Sequence, residues 1–472
     1  MKYELLEYLK FYSDANLLRY YGGDRDKFSD REIYRSICGE LAQISSFIEK
    51  YSKKPQVFLA EADPIRFITV FLAGIVAEVD LFLGDPAWQQ QEWGQVLEIV
   101  KPDLVYGDRS TRDLIAKLGS TIEDAAPSRS DLPEQLIMIP TGGTSGKIRF
   151  AIHTWDTLAA SVTGFKDYFG CQKINSFCTL PLYHVSGLMQ LMRSLLTQGE
   201  LFICPYKTVK TKQITLDRQD YFISLVPTQL QFLIQSVPDW LTQFKVVLLG
   251  GAPPMRSLLD TAREYNIPVA LTYGMTETAS GVVVLKPQDF LTGNNSSGRV
   301  LPHAKVAIAP ENNKLGLIKI SGNSVCLGYY PQLFASDRLV TDDLGYFDDL
   351  GYLYLVGRNS QKIITGGKNV FPAEVESAIY STRLVKDVCV VGIEDRHWGE
   401  VVTAIYVPAD PKTNLDLIKH EIQLQLAKYK QPKNWIEVDS LPRNDRGKVN
   451  YQKIKAIAER AISFERQNNH KQ

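Results

Sequence analysis

A chain of 472 residues is long enough for two or three domains with apolar cores of their own, which excludes a small scaffold stapled by disulfides or metal. Its 53 basic and 53 acidic residues cancel, so no global field draws it to nucleic acid or to an anionic membrane, and small-molecule chemistry is the class that composition favours. Six cysteines (Cys38, Cys171, Cys178, Cys204, Cys326 and Cys389) lack C-x-x-C spacing and lie mostly in apolar runs, the usage of reduced thiols in a reducing cytosol.

The first ten residues, M-K-Y-E-L-L-E-Y-L-K, mix charges with apolar side chains and lack the uninterrupted apolar core of an export signal. The longest apolar run, Phe67 to Ala77, stops at Glu78 and Asp80, short of a bilayer span, and reads as a buried helix. A cytoplasmic protein without a membrane span is therefore expected; a homo-oligomer is compatible with the sequence.

Short apolar runs then recur, each ending in turn or polar residues: Gln56–Leu59, Asp80–Gly84, Leu136–Pro140, Phe222–Pro227, Val246–Gly250 and Val269–Gly274. Separated by segments of helical length, they predict an α/β fold with parallel strands buried on both faces, the functional residues sitting at strand C-terminal ends. From about Pro302 the pattern changes. Lys305–Ala309 and Leu317–Ile320, divided by Glu311-Asn312-Asn313, predict antiparallel strands of a small β unit over about 302–357. Past Ser360, strands Val388–Val391 and Val402–Val407 and a helix with apolar Leu415, Ile418, Ile422 and Leu426 predict a compact α+β domain. The expected division is 1–359 and 360–472, ending in a polar, frayed tail from Glu465 to Gln472.

Three of the strand ends carry chemistry. Pro140 to Lys147 reads P-T-G-G-T-S-G-K. Without Cβ, Gly142, Gly143 and Gly146 let backbone N–H groups converge on an anion, while Thr141, Thr144 and Ser145 add hydroxyls, as a phosphate cradle requires. It is not a kinase P-loop: Thr141 stands where that motif needs its first glycine, and Ile148 where it needs a Mg²⁺-binding hydroxyl. Tyr273-Gly274-Met275-Thr276-Glu277-Thr278 offers an aromatic face for adenine, hydroxyls for phosphate and a carboxylate for Mg²⁺. Gly250-Gly251-Ala252-Pro253 has no bulk to keep a flat ring from lying against backbone. Asp343 can accept from ribose hydroxyls, and Arg358 offers a planar cation for ribose or phosphate. Each motif alone also reads as an ordinary turn, helix cap or surface charge; they gain force jointly.

In this order, from about residue 50 to 455, the motifs resemble the acyl-adenylate-forming superfamily of acyl-CoA synthetases. The resemblance implies that Thr141–Gly146 bind pyrophosphoryl oxygens, Tyr273 stacks on adenine, Thr276 and Glu277 meet phosphate and Mg²⁺, and Asp343 and Arg358 hold ribose. It implies that Lys448, in L-P-R-N-D-R-G-K-V-N, bridges carboxylate and α-phosphate oxygens during adenylation. Arg149 aligns with the usual loop lysine. Ser360 occupies the hinge that usually carries Asp or Lys; a C-terminal domain turning there would withdraw Lys448 and present Gly366-Gly367-Lys368 to coenzyme A. Pro181–Leu188, P-L-Y-H-V-S-G-L, with Arg193 beyond it, is similar to o-succinylbenzoate-CoA ligases of the menaquinone and phylloquinone branch. There His184, Ser186 and Gly187 would line the acyl pocket and Arg193 would organise a second carboxylate.

The resulting expectation is an AMP-forming acid:CoA ligase using ATP, Mg²⁺ and coenzyme A on o-succinylbenzoate. Its alternatives are another aryl- or medium-chain acyl-CoA ligase or, from a different class, a non-catalytic nucleotide-binding module or phosphotransferase.

Overall fold

The computed structural model describes residues 18–20, 30–119, 132–142, 147–209, 217–310, 315–443 and 449–469. Two large sheets stack about a layer of helices. One sheet has eight strands in the order Leu18–Tyr20, Leu201–Ile203, Asn175–Cys178, Tyr221–Leu225, Val246–Leu249, Val269–Met275, Ser280–Val284 and Arg299–Val300. The first six run parallel, Ser280–Val284 is antiparallel to Val269–Met275, and Arg299–Val300 is antiparallel to Ser280–Val284 in turn. The other has seven, in the order Gln332–Leu333, Gly328–Tyr329, Ile148–His153, Ile137–Gly142, Asp80–Leu83, Gln56–Ala60 and Leu104–Gly107, with its parallel strands at the last four places.

All six apolar runs of the sequence are strands. Asn175–Cys178, Leu201–Ile203, Leu104–Gly107 and Ile148–His153 are among the strands that went unread.

Between the sheets lies helix Pro64–Val76, buried everywhere except at Pro64 and Arg66. Its start is set by Asp63, whose carboxylate accepts the Ile65 and Arg66 N–H groups at 2.9 and 3.0 Å, and by proline in the first turn. Leu188, Met189 and Met192 of helix Val185–Thr197 join one core with Val57, Leu59, Leu81 and Leu83 of one sheet and Leu201 and Ile203 of the other. This sandwich brings the C-terminal strand ends of both sheets towards one another.

The small β unit has the strand order Ala304–Ala309, Gly316–Gly322, Arg338–Phe347 and Leu353–Arg358, all antiparallel. Lys305 pairs with Ser321 and Ala309 with Leu317 as the expected hairpin requires, while the turn residues Glu311, Asn312 and Asn313 lie outside the described residues. In the C-terminal part, Val385–Asp395 and Gly399–Pro408 pair antiparallel, and helix Leu415–Gln423 buries Ile418 and Ile422; Leu426 follows the helix but packs in the same core. The last helix runs from Tyr451 to Asn469, so the tail expected to fray from Glu465 is helical over most of its length. All six cysteines are free and all but Cys38 are buried; burial pushes the Cys178 and Cys326 thiols up to about 12.

In that C-terminal core the Glu376 carboxylate accepts the Val390 N–H at 2.8 Å, and burial raises it to about 7. A folded pKa above the unfolded value means that the stabilising contribution is complete below the ordinary carboxylate range and is lost as pH rises through about 7. Glu376→Gln keeps an acceptor oxygen and removes the titration. Its denaturation midpoint, compared with that of the parent at about pH 5 and about pH 8, should fall less as pH rises.

Candidate active site

The strand Val269–Met275 runs into a 3-10 turn, Thr276–Thr278, and reverses through Ala279 and Ser280, both at positive φ (50° and 90°), into Ser280–Val284. Gly274 is needed here because a Cβ would stand 2.0 Å from the Ser280 carbonyl oxygen. Thr278, read from sequence as a nucleotide contact, is fully buried, and its hydroxyl lies within hydrogen-bonding distance of the Met275 and Ser280 carbonyls (3.1 and 2.6 Å); it shapes the turn instead.

Glu277 is the centre of the arrangement. Only 7 % exposed, it accepts at Oε1 from the Tyr329 hydroxyl at 2.8 Å and the Thr141 hydroxyl at 3.3 Å. Its Oε2 has no protein hydrogen-bond donor among the described residues. Thr141 closes the strand Ile137–Gly142 and is paired in register with Arg149, whose guanidinium lies 3.9 Å above the Tyr329 ring. The stem of the glycine loop, the carboxylate turn and the Gly328–Tyr329 strand therefore meet at one place. Gly142 belongs to that stem, whereas Gly143, Thr144, Ser145 and Gly146 lie outside the described residues. One carboxylate with a free oxygen suits Mg²⁺, which is commonly held by one or two side-chain carboxylates together with substrate phosphates and water. Among the described residues no group of three or more His, Cys, Asp or Glu side chains forms a metal cage.

Beside this turn the Tyr273 hydroxyl donates to Asp343 at 2.9 Å, and Asp343 lies 3.4 Å from the Arg358 guanidinium, its register partner on the neighbouring strand. Burial, then the Asp343 charge, raises the Tyr273 phenol and keeps it a donor. Gly250, Gly251 and Ala252 follow the strand Val246–Leu249 as a rim without bulk; a Cβ on Gly250 would meet the Thr272 hydroxyl at 2.3 Å, and Gly251 has φ +84°. Gly274 is exposed and Met275 and Thr276 are half-buried along the same edge.

His184 caps helix Val185–Thr197, its Nε2 3.6 Å from an Asp85 carboxylate oxygen. Ser186 is exposed, whereas Gly187 is buried with its Cα against the Pro181 carbonyl, where a Cβ would stand 2.1 Å from that oxygen. Gly187 serves that close approach and not a ligand. Arg193 is 5 % exposed: its Nη2 donates to the Ser280 hydroxyl at 3.0 Å, the guanidinium lies 4.1 Å over the Phe165 ring, and its Nε has no acceptor among the described residues. Burial lowers it to about 10, leaving it charged at neutral pH, and no acidic side chain among the described residues pairs with it. The neighbouring His303, with both ring nitrogens unpartnered, is lowered to about 4 by burial and then by Arg193. Sequence reading did not find His303.

Gly366 and Gly367, at φ +55° and +75°, turn an exposed hairpin, and the Lys368 ammonium lies 4.5 Å over the Tyr429 ring. Ser360 donates its N–H to Asp342 at 3.0 Å and its hydroxyl to the same carboxylate. Lys448 lies outside the described residues. The chain on either side of its loop is anchored: Arg443 and Val449 form a bridge, the Asn450 N–H reaches the Pro442 carbonyl at 2.8 Å, and Arg443 holds Asp387 through both carboxylate oxygens at 2.8 and 2.7 Å.

His153, Thr157 and Ser161 were also missed. They lie behind the carboxylate turn, with His153 Nε2 2.8 Å from the Thr276 carbonyl oxygen and the Ser161 hydroxyl donating to the Ala279 carbonyl at 2.7 Å. Their spacing on a strand end and the following helix is indistinguishable from ordinary capping.

The chain belongs to the AMP-binding enzyme family, whose pattern matches residues 68–330, with the AMP-binding enzyme C-terminal domain matching 374–448. It is 34 % identical over 330 residues to a 2-succinylbenzoate--CoA ligase of Oceanobacillus iheyensis, covering 66 % of this chain and 68 % of that one. Against a protein of the same name from Bacillus cereus strain Q1 it is 28 % identical over 453 residues, or 90 % and 92 % of the two chains. The o-succinylbenzoate CoA synthetase of Bacillus subtilis in complex with the acyl-adenylate intermediate OSB-AMP superposes with a TM-score of 0.82 at 26 % identity, covering 96 % of this chain and 97 % of that one. The same enzyme with ATP and magnesium ion gives 0.78 at 25 %, covering 94 % and 98 %.

Tyr329→Phe keeps the ring under Arg149 and removes one of the two donors to buried Glu277. A hydrogen bond to a charged acceptor is worth about 1.5–3 kcal/mol, and the unfolding free energy measured by denaturant titration should fall by that order.

Proposed function

We propose that this AMP-binding enzyme is a ligase that joins o-succinylbenzoate to coenzyme A at the expense of ATP, releasing AMP and pyrophosphate, in menaquinone or phylloquinone biosynthesis. The observation that carries the adenylation reading is the contact between Thr141 and Glu277, which ties the glycine-loop stem to the carboxylate turn from segments 136 residues apart. Phosphate donors and a cation-binding carboxylate are thereby set side by side.

A carboxylate is a poor electrophile with a hopeless leaving group, so activation comes first. In our reading the acid attacks the α-phosphorus of ATP and pyrophosphate departs, giving acyl-AMP; the thiolate of coenzyme A then displaces AMP. Glu277 would hold Mg²⁺, which when bound neutralises phosphate charge. Asp343 and Arg358 would take the ribose, Tyr273 and the Gly250–Ala252 rim the adenine, and His184 and Ser186 the mouth of the acyl pocket. Lys448 would bridge the two reacting oxygens, acting only while it stands at the site. We further propose that 1–359 and 360–472 are the moving parts, hinged at Ser360, and that turning exchanges Lys448 for Gly366-Gly367-Lys368.

What supports the choice of acid is the buried, acid-free Arg193, together with the names that the curated relatives carry. An unpaired buried cation is costly, and the second carboxylate of an aryl dicarboxylic acid would supply its counter-charge.

Lys448→Ala should reduce acid-dependent pyrophosphate exchange into ATP by about 100-fold or more while thioester formation from supplied acyl-AMP stays within about threefold. Equal loss of both half-reactions would rule out alternating use of the domain. Arg193→Met should raise the KM for o-succinylbenzoate about tenfold or more, the worth of one charge-assisted hydrogen bond, with a smaller change in kcat; an unchanged KM in a steady-state assay would remove Arg193 from acid recognition.

A further inference from the structure

Resting on that ligase reading, we propose that His153 is a positioning residue for adenylation: its imidazole fixes the Thr276 carbonyl and thereby sets where the Thr276 hydroxyl and the Glu277 carboxylate stand. His153 ends the strand Ile148–His153 and is fully buried. Each ring nitrogen has one neighbour, Nε2 the Thr276 carbonyl oxygen at 2.8 Å and Nδ1 the Thr157 hydroxyl at 2.9 Å.

A carbonyl oxygen only accepts, so Nε2 carries the proton, while the Thr157 hydroxyl stands 2.9 Å from both Nδ1 and the Thr154 carbonyl oxygen. That hydroxyl is itself fixed, since Thr157 Oγ1 accepts the Thr154 N–H at 3.1 Å, and the nearby Thr154 carbonyl has the Leu158 N–H as its donor at 3.3 Å. Burial disfavours the charged ring and lowers it to about 4. The other neutral tautomer would set the Nε2 lone pair against the carbonyl oxygen.

The turn needs such support. Ala279 and Ser280 both hold a left-handed backbone that side-chain-bearing residues adopt at a cost, and such conformations persist where surrounding structure over-determines them. His153 holds the turn at Thr276, and Ser161, about one helical turn beyond Thr157 on Trp155–Phe169, holds it at Ala279. Between these two grips lies Glu277, whose carboxylate points to Tyr329 and Thr141 and not to either of them. The grip therefore acts on backbone and leaves the reacting side chains free.

The test measures o-succinylbenzoate-dependent pyrophosphate exchange and melting temperature for the parent, His153→Phe, His153→Gln and Ser161→Ala. Phenylalanine fills the space without a donor; glutamine can return an N–H to the Thr276 carbonyl. We expect His153→Phe to lower the exchange kcat about 30-fold with the KM for the acid within about twofold, and glutamine to recover a large part of the loss at the same melting temperature. Exchange by His153→Phe within about twofold of the parent, or glutamine no better than phenylalanine at equal folded fraction, would overturn the assignment. If the phenylalanine variant does not fold, Ser161→Ala decides: a kcat loss of about fivefold supports the two-ended grip, and an unchanged kcat overturns it. A parent enzyme that exchanges no pyrophosphate would overturn the ligase reading and this one with it, a result distinct from an active parent with an unaffected variant.

Discussion

Everything at the site depends on keeping one carboxylate out of water without losing its ability to take a ligand. Burying an ionised oxygen pair is tolerable only when donors replace the solvent. Glu277 receives two, from Tyr329 and Thr141, and both fall on Oε1. The two donors come from strands on the far sheet, so the position of Glu277 on the near sheet is coupled to how the sheets stack. The helical layer between them is thus part of the site: a shift of the Pro64–Val76 and Val185–Thr197 packing would move the donors relative to the acceptor.

A second link ties the small β unit to the same place. Tyr273 belongs to the large sheet, whereas Asp343 and Arg358 face each other across two strands of the small unit. One phenol hydrogen bond therefore sets the edge of the nucleotide site we propose. Asp342, the next residue along, holds both the N–H and the hydroxyl of Ser360. Adjacent acids on one strand thus serve opposite purposes, one aimed into the site and the other restraining the segment that leaves it. Alternating side-chain direction along a strand makes this division possible.

The sequence disclosed strongly periodic features best. Long apolar runs placed the buried helix and six strands, because a strand covered on both faces has little freedom in composition. Asn175–Cys178 escaped because polar Asn175 and Ser176 break its apolar run, and Leu201–Ile203 because three residues carry too little pattern. At the site, Glu277, Asp343, Arg358 and Arg193 were singled out by their charge, and the structure sets Glu277 beside Thr141, Asp343 beside Arg358, and Arg193 in a buried place. Residues that act through backbone were not. Thr278 looked like a phosphate hydroxyl and shapes a turn, Gly187 looked like a pocket residue and answers a close approach, and His153 looked like nothing at all. Tertiary placement decided these roles, and a motif records only the order along the chain.

The thiol inventory has a practical use. Five of the six cysteines are buried, leaving Cys38 alone to compete for a maleimide. Exposed Glu264 on the large part and exposed Lys412, beyond the strand Gly399–Pro408, can each take an engineered cysteine once Cys38 is replaced, without disturbing the core. A fluorophore pair at those two places would turn the reorientation we propose for the C-terminal part into an optical distance signal, read during turnover in an otherwise native polypeptide.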